Sequence, residues 1–292
     1  MIIHLVDGTY ELYRQFYGQL GRHTDEHENA GVIGVLNSTL QLIEDGATHI
    51  GVATDHVIES FRNDLWPGYK TSEGMEPEIL RQIPLLEDAL AAMGVTVWAM
   101  AEFEADDALA SAVRVACDDR RVHQVRLLTP DKDLGQCVSG RRVVQVDRRN
   151  DVIIDETAVK AKFGVGPESI VDYLALVGDS ADGFPGLPGW GAKSASILLA
   201  QYGDVMSIPL DHATWIADGV KVRGAEKLAT VLREGRADAE LFRILAKLVD
   251  TVEVGVVDDW RWAGPTPSFA ALANGWGVAK LAERATKCAM QR

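Results

Sequence analysis

Short apolar runs alternate with longer amphipathic segments through the first half of the chain. The short runs are rich in β-branched residues and predict strands at residues 2–6, 49–53, 95–99 and 125–129. The amphipathic segments predict helices at residues 8–17, 30–44, 77–93 and 104–117. This alternation is typical of an α/β fold with a mostly parallel central sheet flanked by helices. Two further apolar runs within residues 142–155 predict a hairpin, and residues 56–75 show no regular pattern.

The pattern changes after Gly164, where strand-like runs give way to helical ones. Helical periodicity occurs at residues 168–176, 192–201, 224–233 and 237–249. We therefore predict three parts, namely an α/β core at 1–165 with an arch region at about 62–92, a helical subdomain at 166–255, and a tail at 256–292. The tail contains WRWAGPTP, which fits no regular element, and then a short helical segment.

Composition narrows the class of protein. Of 292 residues, 47% are hydrophobic and 25% charged, which is typical of a soluble globular protein, and no apolar run is long enough to span a membrane. The N-terminus lacks a basic start and its apolar run ends at Asp7, so we expect no signal peptide. The cysteines are Cys117, Cys137 and Cys288, a scattered odd set that favours a reducing compartment such as the cytoplasm. The net charge of −14 argues against a nucleic-acid partner unless basic residues are concentrated locally.

Acidic residues follow the predicted strands. Asp7 and Asp55 end the first two strands, Glu104 and its neighbours open the helix after the third, and Asp131 follows the fourth. Because the carboxyl ends of parallel strands meet at one edge of a sheet, we expect these acids to gather there. Asp179 and Asp182, later in the chain, are three residues apart, which is also the spacing of Glu104 and Asp107. The candidate ligands are therefore Asp7, Asp55, Glu104, Asp106, Asp107, Asp131, Asp133, Asp179 and Asp182.

Such a cluster needs a counter-charge. Carboxylates packed together repel one another and raise each other's pKa, and divalent cations with hard oxygen ligands, Mg²⁺ or Mn²⁺, relieve the repulsion. A pair of ions is a known device for phosphodiester hydrolysis. An aspartate after a strand is often only a helix N-cap, and that interpretation is the better one for any single member. Independent caps do not explain a whole set that shares one edge of a sheet.

A glycine-rich segment, GLPGWGAKSA at residues 186–195, follows the last two acids directly. We expect Gly189 and Gly191 to adopt positive φ in a tight turn, with a helix beginning at Ala192. The turn, the helix N-terminus with Ser194, and Lys193 predict a helix–hairpin–helix that contacts a nucleic-acid phosphate without reading sequence. An isolated glycine-rich turn is more often a plain connector, but this one adjoins candidate metal ligands.

In this order and spacing the motifs resemble the structure-specific 5′-nuclease family, which includes the 5′→3′ exonuclease domain of bacterial DNA polymerase I, phage 5′-nucleases and flap endonucleases. The resemblance covers about residues 5–250 and implies a PIN/resolvase-like core. The matching segments are LVDGTYELYR, TDHVIESFR, PGYK, EFEADDALAS, LLTPDKDLGQCV and GDSADGFPGLPGWGAKSA.

The resemblance implies roles for particular residues. All nine acids take metal-ligand positions for two or three ions, and Arg14 and Lys70 face the scissile phosphate. Tyr69 is implied to stack on an unpaired base, and Arg62, which matches a basic position of the family, is expected to contact DNA. Relatives also bind K⁺ through carbonyls of the hairpin. Glu73 stands where many relatives have an arginine in the arch, so flap threading is expected to differ.

The function expected from this resemblance is a metal-dependent 5′→3′ exonuclease and flap endonuclease of replication or repair. Its expected substrates are DNA with 5′ flaps, nicks or 5′ ends, and RNA–DNA hybrid. We expect a cytoplasmic monomer without membrane contact, and a stand-alone nuclease because the sequence ends soon after the nuclease region. Two alternatives stay open, a PIN-type ribonuclease with a smaller acid cluster and a non-catalytic structure-specific DNA-binding protein. A small-molecule phosphatase is disfavoured because it has no use for a helix–hairpin–helix.

Overall fold

A twisted sheet forms the centre of the first half of the protein. The computed structural model describes residues 1–19 and 28–291. In these residues, six strands pair in the order β3-β2-β1-β4-β5-β6, and β6 alone runs antiparallel to its neighbour. The strands are β1 Ile2–Asp7, β2 His49–Asp55, β3 Thr96–Met100, β4 Gln124–Leu128, β5 Val143–Asp147 and β6 Val152–Ile154. The predicted mostly parallel α/β fold is confirmed, and the four predicted parallel strands are displaced by at most two residues at either end.

Helices cover both faces of the sheet. They are α1 Gly8–Gln19, α2 Ala30–Glu44, α3 Phe61–Leu65, α4 Pro77–Ala92 and α5 Ala105–Asp118. Side chains of β1 alternate between the two faces, as the strand geometry requires. Ile3 and Leu5 pack with α5, whereas Val6 packs with α1, α2 and α4. Because helices cover both faces of the sheet, the sequence of each central strand is a nearly continuous apolar run.

Helix α3 lies inside residues 56–75, which were predicted to be irregular, so that prediction was wrong in part. Ser60 caps the helix, since its hydroxyl accepts from the Arg62 backbone N–H and its own N–H donates to the Asn63 side chain at 2.8 Å. A helix of five residues is too short to show a 3.6-residue period, and only this cap signalled it.

The helical subdomain begins with a short 3₁₀ turn at Pro167–Ser169. Its helices are α7 Ile170–Val177, α8 Ala192–Tyr202, α9 His212–Ala217, α10 Ala225–Glu234 and α11 Arg236–Ala246, and α6 Glu156–Phe163 precedes it. They share one core with buried Leu198, Trp215 and Phe242. The sequence pattern missed α6 and α9. Each is at most eight residues long, and each begins at an aspartate cap, Asp155 or Asp211.

The tail returns to the α/β core. Its helices are α12 Pro267–Gly275 and α13 Ala279–Met290, which contact α4 and α2 respectively. The two tryptophans of WRWAGPTP anchor it, because Trp260 packs edge to face on Trp98 with ring centres 5.4 Å apart and Trp262 Nε1 donates to the Met93 carbonyl at 2.9 Å. Arg284 pairs with Glu44 at 2.6 Å. The segment that fits no regular element is therefore a strap across the core. Within the described ranges, helices with the length and apolarity of a membrane span are lacking.

Candidate active site

Carboxylates from several strand ends meet at the carboxyl edge of the sheet. Asp7 is the last residue of β1 and Asp55 the last of β2, and β1 and β2 pair in parallel, so both acids reach the same edge. Burial raises the pKa of Asp7 to about 7, and the charges of Asp55 and Asp131 add to the increase. Burial, then the charges of Asp131 and Asp7, raise the pKa of Asp106 well above its ordinary value. The predicted convergence of these four acids is what the structure shows.

Backbone and hydroxyl donors fix the orientation of these acids. Asp7 accepts from the Tyr10 N–H at 2.8 Å and from the Thr129 hydroxyl at 3.1 Å. Asp55 accepts from the Ala105 N–H at 2.8 Å, which ties the end of β2 to the first turn of α5. These hydrogen bonds stabilise the ionised carboxylates and so oppose the effect of burial on their pKa. They also fix the orientation of each carboxylate.

A loop of the helical subdomain brings the last two acids to the same place. Asp179 and Phe184 exchange backbone hydrogen bonds of 2.8 and 3.0 Å, which closes the loop at residues 178–186. The Lys70 N–H donates to the Asp182 carbonyl at 2.9 Å, and Trp66 Nε1 donates to the Gly183 carbonyl at 3.0 Å. A Cβ at Gly183 would lie 2.0 Å from the Gly68 carbonyl oxygen. Glycine is required there because the two backbones touch.

Three of the acids form a compact oxygen set. One ligand atom from each of Asp133, Asp179 and Asp182 lies within 4.8 Å of the other two. Oδ1 of Asp133 is buried and has no hydrogen-bond partner among the described residues, and the residue is only 7% exposed. Burial, then the charges of Asp131 and Asp182, raise the pKa of Asp133 well above its ordinary value. Hard, partly unpaired oxygens with excess negative charge fit a divalent cation.

Two lysines form ion pairs with acids of this cluster. Lys70 Nζ lies 2.5 Å from Glu104 Oε2 and 3.0 Å from Asp182 Oδ1, and Lys132 Nζ lies 2.6 Å from Asp179 Oδ2. Burial opposes the ionised form of Glu104, but the charges of Lys70 and Arg62 outweigh it and lower its pKa. The structure thus places Lys70 at the acid cluster. The role of Lys132 was missed, although its place between two acids in DKD was a signal.

The geometry contradicts two of the roles assigned from the resemblance. Arg62 is 1% exposed and donates to both oxygens of Asp107, at 2.7 and 2.8 Å, so it faces the protein interior and not a bound strand. The oxygens of Asp107 also accept from the N–H groups of Glu104 at 3.0 Å and Val249 at 2.8 Å. Both oxygens of Asp107 are therefore engaged by the protein, and Asp107 is a structural partner of Arg62 and not an ion ligand.

The Arg62 guanidinium also joins the two parts of the protein. Its Nε donates to the Leu245 carbonyl at 2.9 Å and its Nη2 to the Lys247 carbonyl at 3.1 Å, at the end of α11. A third contact, from Nη1 to Glu104 Oε1 at 3.0 Å, reaches the acid cluster. One buried side chain therefore fixes the helical subdomain, the first turn of α5 and a candidate metal ligand relative to one another.

Tyr69 and Arg14 also lie elsewhere than the resemblance implied. Tyr69 is 4% exposed and packs in the core of the helical subdomain, so its ring is not available for a base to stack on. Arg14 lies in the second turn of α1 and pairs with buried Glu11 at 2.6 Å. It lines a cavity of about 910 Å³ with Tyr10 and Tyr17, beside the acid cluster and not in it.

The predicted hairpin connects α7 to α8. Gly189 is exposed with φ of +79°, as expected, but Gly191 is extended with φ of −147°, so the expectation of a positive φ there was wrong. The Ser194 hydroxyl accepts from the Gly191 N–H at 3.1 Å and caps α8. Lys193 is exposed in the first turn. The turn therefore presents a helix N-terminus, open backbone and a cation to solvent.

Comparison with known proteins places this fold. Residues 2–164 match the N-terminal resolvase-like domain of the 5′-3′ exonuclease family, and residues 165–268 match its C-terminal SAM fold. DNA polymerase I of Pseudomonas aeruginosa is 34% identical over 275 residues, 92% of this chain and 29% of the polymerase. A 5′-3′ exonuclease of Aquifex aeolicus is 32% identical over 209 residues, 70% of this chain and 71% of that protein. The chain spans less than a third of the DNA polymerase I relatives.

A solved structure shows the same fold over the whole chain. The D15 protein of bacteriophage T5, co-crystallised with metal ions, superposes with a TM-score of 0.67 and 17% identity, covering 100% of this chain and 99% of that one. The paired family domains, the relatives at more than 30% identity and the acid cluster agree with one another. The chain belongs to the 5′-3′ exonuclease family and is a nuclease.

Proposed function

We propose that the protein is a divalent-metal-dependent 5′→3′ exonuclease and flap endonuclease that hydrolyses phosphodiesters in branched or 5′-ended DNA during replication or repair. The observation that carries the proposal is the acid cluster assembled from both parts of the chain. Asp7 and Asp106 come from the α/β core, and Asp179 and Asp182 come from the loop that adjoins the hairpin. In this proposal the acids that cleave DNA and the hairpin that contacts its backbone are therefore held next to each other.

The donor set suits two Mg²⁺ or Mn²⁺ ions. We assign the first group of ligands to Asp7, Asp55, Glu104, Asp106 and Asp131, and the second to Asp133, Asp179 and Asp182. When bound, such ions supply Lewis-acid stabilisation of the charge that develops on a phosphodiester. The chain's own residues hold the oxygens in place and keep them partly out of water. K⁺ at the carbonyls of the hairpin is part of the proposal.

Lys70 is the cation of the chain best placed to act on a substrate phosphate. Its ammonium pairs with Glu104 and Asp182, and its side chain is 30% exposed at the edge of the cluster. A phosphate that approaches the cluster would meet this donor first, and a fixed cation stabilises developing negative charge. We keep Arg14 as a second cation that contacts the strand from its own cavity beside the cluster, since it lies on the same helix that follows Asp7.

The decisive experiment compares substrates and metal. A 5′-flap duplex, a nicked duplex, a blunt duplex, an RNA–DNA hybrid and a single-stranded RNA are incubated with the protein in Mg²⁺ and in chelator. We expect cleavage near the flap junction and at the nick, no dependence on sequence, and no cleavage in chelator. Cleavage that survives the chelator would contradict the mechanism. Cleavage confined to single-stranded RNA would favour a PIN-type ribonuclease, and tight binding of the flap without cleavage would favour a non-catalytic DNA-binding protein.

The hairpin gives a second, independent prediction. Replacing Lys193 with Ala is expected to weaken binding to duplexes of every sequence alike and to reduce the slope of log K against log salt by about 1. The reason is that Lys193 is exposed in the first turn of α8, where it neutralises one phosphate. Fluorescence anisotropy at several salt concentrations in chelator measures the effect. Lys160→Ala, at an exposed position of α6, is the matched control, and an equal slope change there would contradict a role for the hairpin.

A further inference from the structure

Lys132 has a position that the proposed mechanism does not use. It lies between Asp131 and Asp133 just after β4, and its Nζ reaches across to Asp179 Oδ2 on the loop of the helical subdomain, 2.6 Å away. The lysine side chain is 34% exposed, whereas that of Asp179 is buried. This ion pair therefore spans the two parts of the chain at the oxygens assigned to the second ion.

The two oxygens of Asp179 have different partners. Oδ1 accepts from the N–H of Ala181 at 2.9 Å, and the N–H of Asp182 lies 3.5 Å from it. Oδ2 is paired with Lys132. The oxygen that is not engaged by the loop's own backbone is thus the one that the ammonium occupies, and a divalent ion that uses Asp179 competes with Lys132 for it.

The rest of the oxygen set supports this competition. Asp182 pairs with Lys70, and Asp133 Oδ1 has no partner in the described part of the chain. A single ammonium on Asp179 therefore offsets part of the repulsion among three acids whose ligand atoms lie within 4.8 Å of one another.

We propose that Lys132 is a positioning residue that occupies Asp179 in the metal-free protein and gives way when the second divalent ion binds. It keeps the loop at residues 178–186 docked without metal, at the cost of weaker ion binding. The Mg²⁺ concentration at which the nuclease works is then set partly by this lysine. The inference rests on the proposed function, because it takes the three acids as ion ligands.

The test measures metal binding without substrate. Isothermal titration of the full chain with MnCl₂ compares wild type with Lys132→Met, Lys132→Arg and the control Lys160→Met. We expect Lys132→Met to bind the weaker of the two ions about twofold to fivefold more tightly, which is the range for loss of one partly exposed ion pair. Lys132→Arg keeps the charge and should stay near wild type, as should the control.

Thermal melting separates competition from a purely structural role. In chelator, Lys132→Met should melt below wild type, because Asp179 loses its partner, and saturating Mn²⁺ should restore the wild-type melting temperature. Binding by Lys132→Met that is equal to or weaker than wild type would overturn the inference, as would a melting deficit that persists in Mn²⁺. If the wild type itself binds no divalent ion, the proposed function fails, and that result is distinct from either of these.

Discussion

Replacing Arg62 with Met is expected to lower the free energy of unfolding by about 3–5 kcal/mol, which is the usual cost of removing one partner of a buried ion pair. Asp107 would be left fully buried with its charge uncompensated, and the carbonyls of Leu245 and Lys247 would lose their donor. Urea unfolding followed by circular dichroism measures the change. Because the contact joins α3, α5 and the end of α11, the loss should appear in one cooperative transition.

Arg114 provides the matched control for this substitution. It also lies on a helix of the core and donates to the Asp250 carbonyl, but it is exposed, so Arg114→Met should cost no more than about 1 kcal/mol. The double variant Arg62→Met/Asp107→Leu should regain part of the stability lost by Arg62→Met alone, since no charge is then left unpaired. Equal effects of Arg62→Met and Arg114→Met would show that the buried pair is not what holds these segments together.

Replacing Asp133 with Asn is expected to have opposite effects on activity and on metal-free stability. The rate of cleavage should fall by at least about 100-fold, because the ions contribute several kcal/mol to stabilising the transition state. In chelator, however, the protein should become more stable, because a buried carboxylate with a raised pKa and an unpaired oxygen is removed. Flap cleavage and thermal melting in chelator measure the two effects on the same preparation.

The control for Asp133 is Asp64→Asn, an equally small change at an exposed position of α3. It should leave both the cleavage rate and the melting temperature in chelator near the wild-type values. A rate within tenfold of wild type for Asp133→Asn would remove this residue from the proposed metal site. A lower melting temperature for it in chelator would show that its carboxylate stabilises the metal-free fold.

The gathering of acids at the carboxyl edge of the sheet could be predicted from the sequence because it depends on local patterns. An apolar run followed by an acid places the acid at a strand end, and parallel pairing then brings strand ends together whatever the rest of the chain does. Asp7, Asp55, Asp106 and Asp131 follow this rule. The hairpin was predictable for a similar reason, since Gly189 and the cap of α8 are local features.

Roles set by distant partners could not be predicted in this way. Asp106 and Asp107 are neighbours in one motif, and what distinguishes Asp107 is its pairing with buried Arg62, which lies 45 positions before it. The burial of Tyr69 could not be predicted either, because it depends on the core of the helical subdomain, which begins almost 100 residues later in the sequence. The segment WRWAGPTP shows no periodicity because its tryptophans are placed by single contacts to Trp98 and Met93.

The hydrogen bonds of Arg62 and the docked loop at residues 178–186 have a consequence for the products of the proposed reaction. The Gly183 backbone packs closely on that of Gly68, and Arg62 bonds both Asp107 of α5 and the Leu245 carbonyl of α11, so the hairpin is held in one position relative to the acids. In the proposed complex, the distance between the phosphate bound at Lys193 and the phosphate that is cut is then fixed. Fragments released from a long flap should accordingly share one terminus, and a loosened Arg62 variant should yield a ladder of neighbouring lengths.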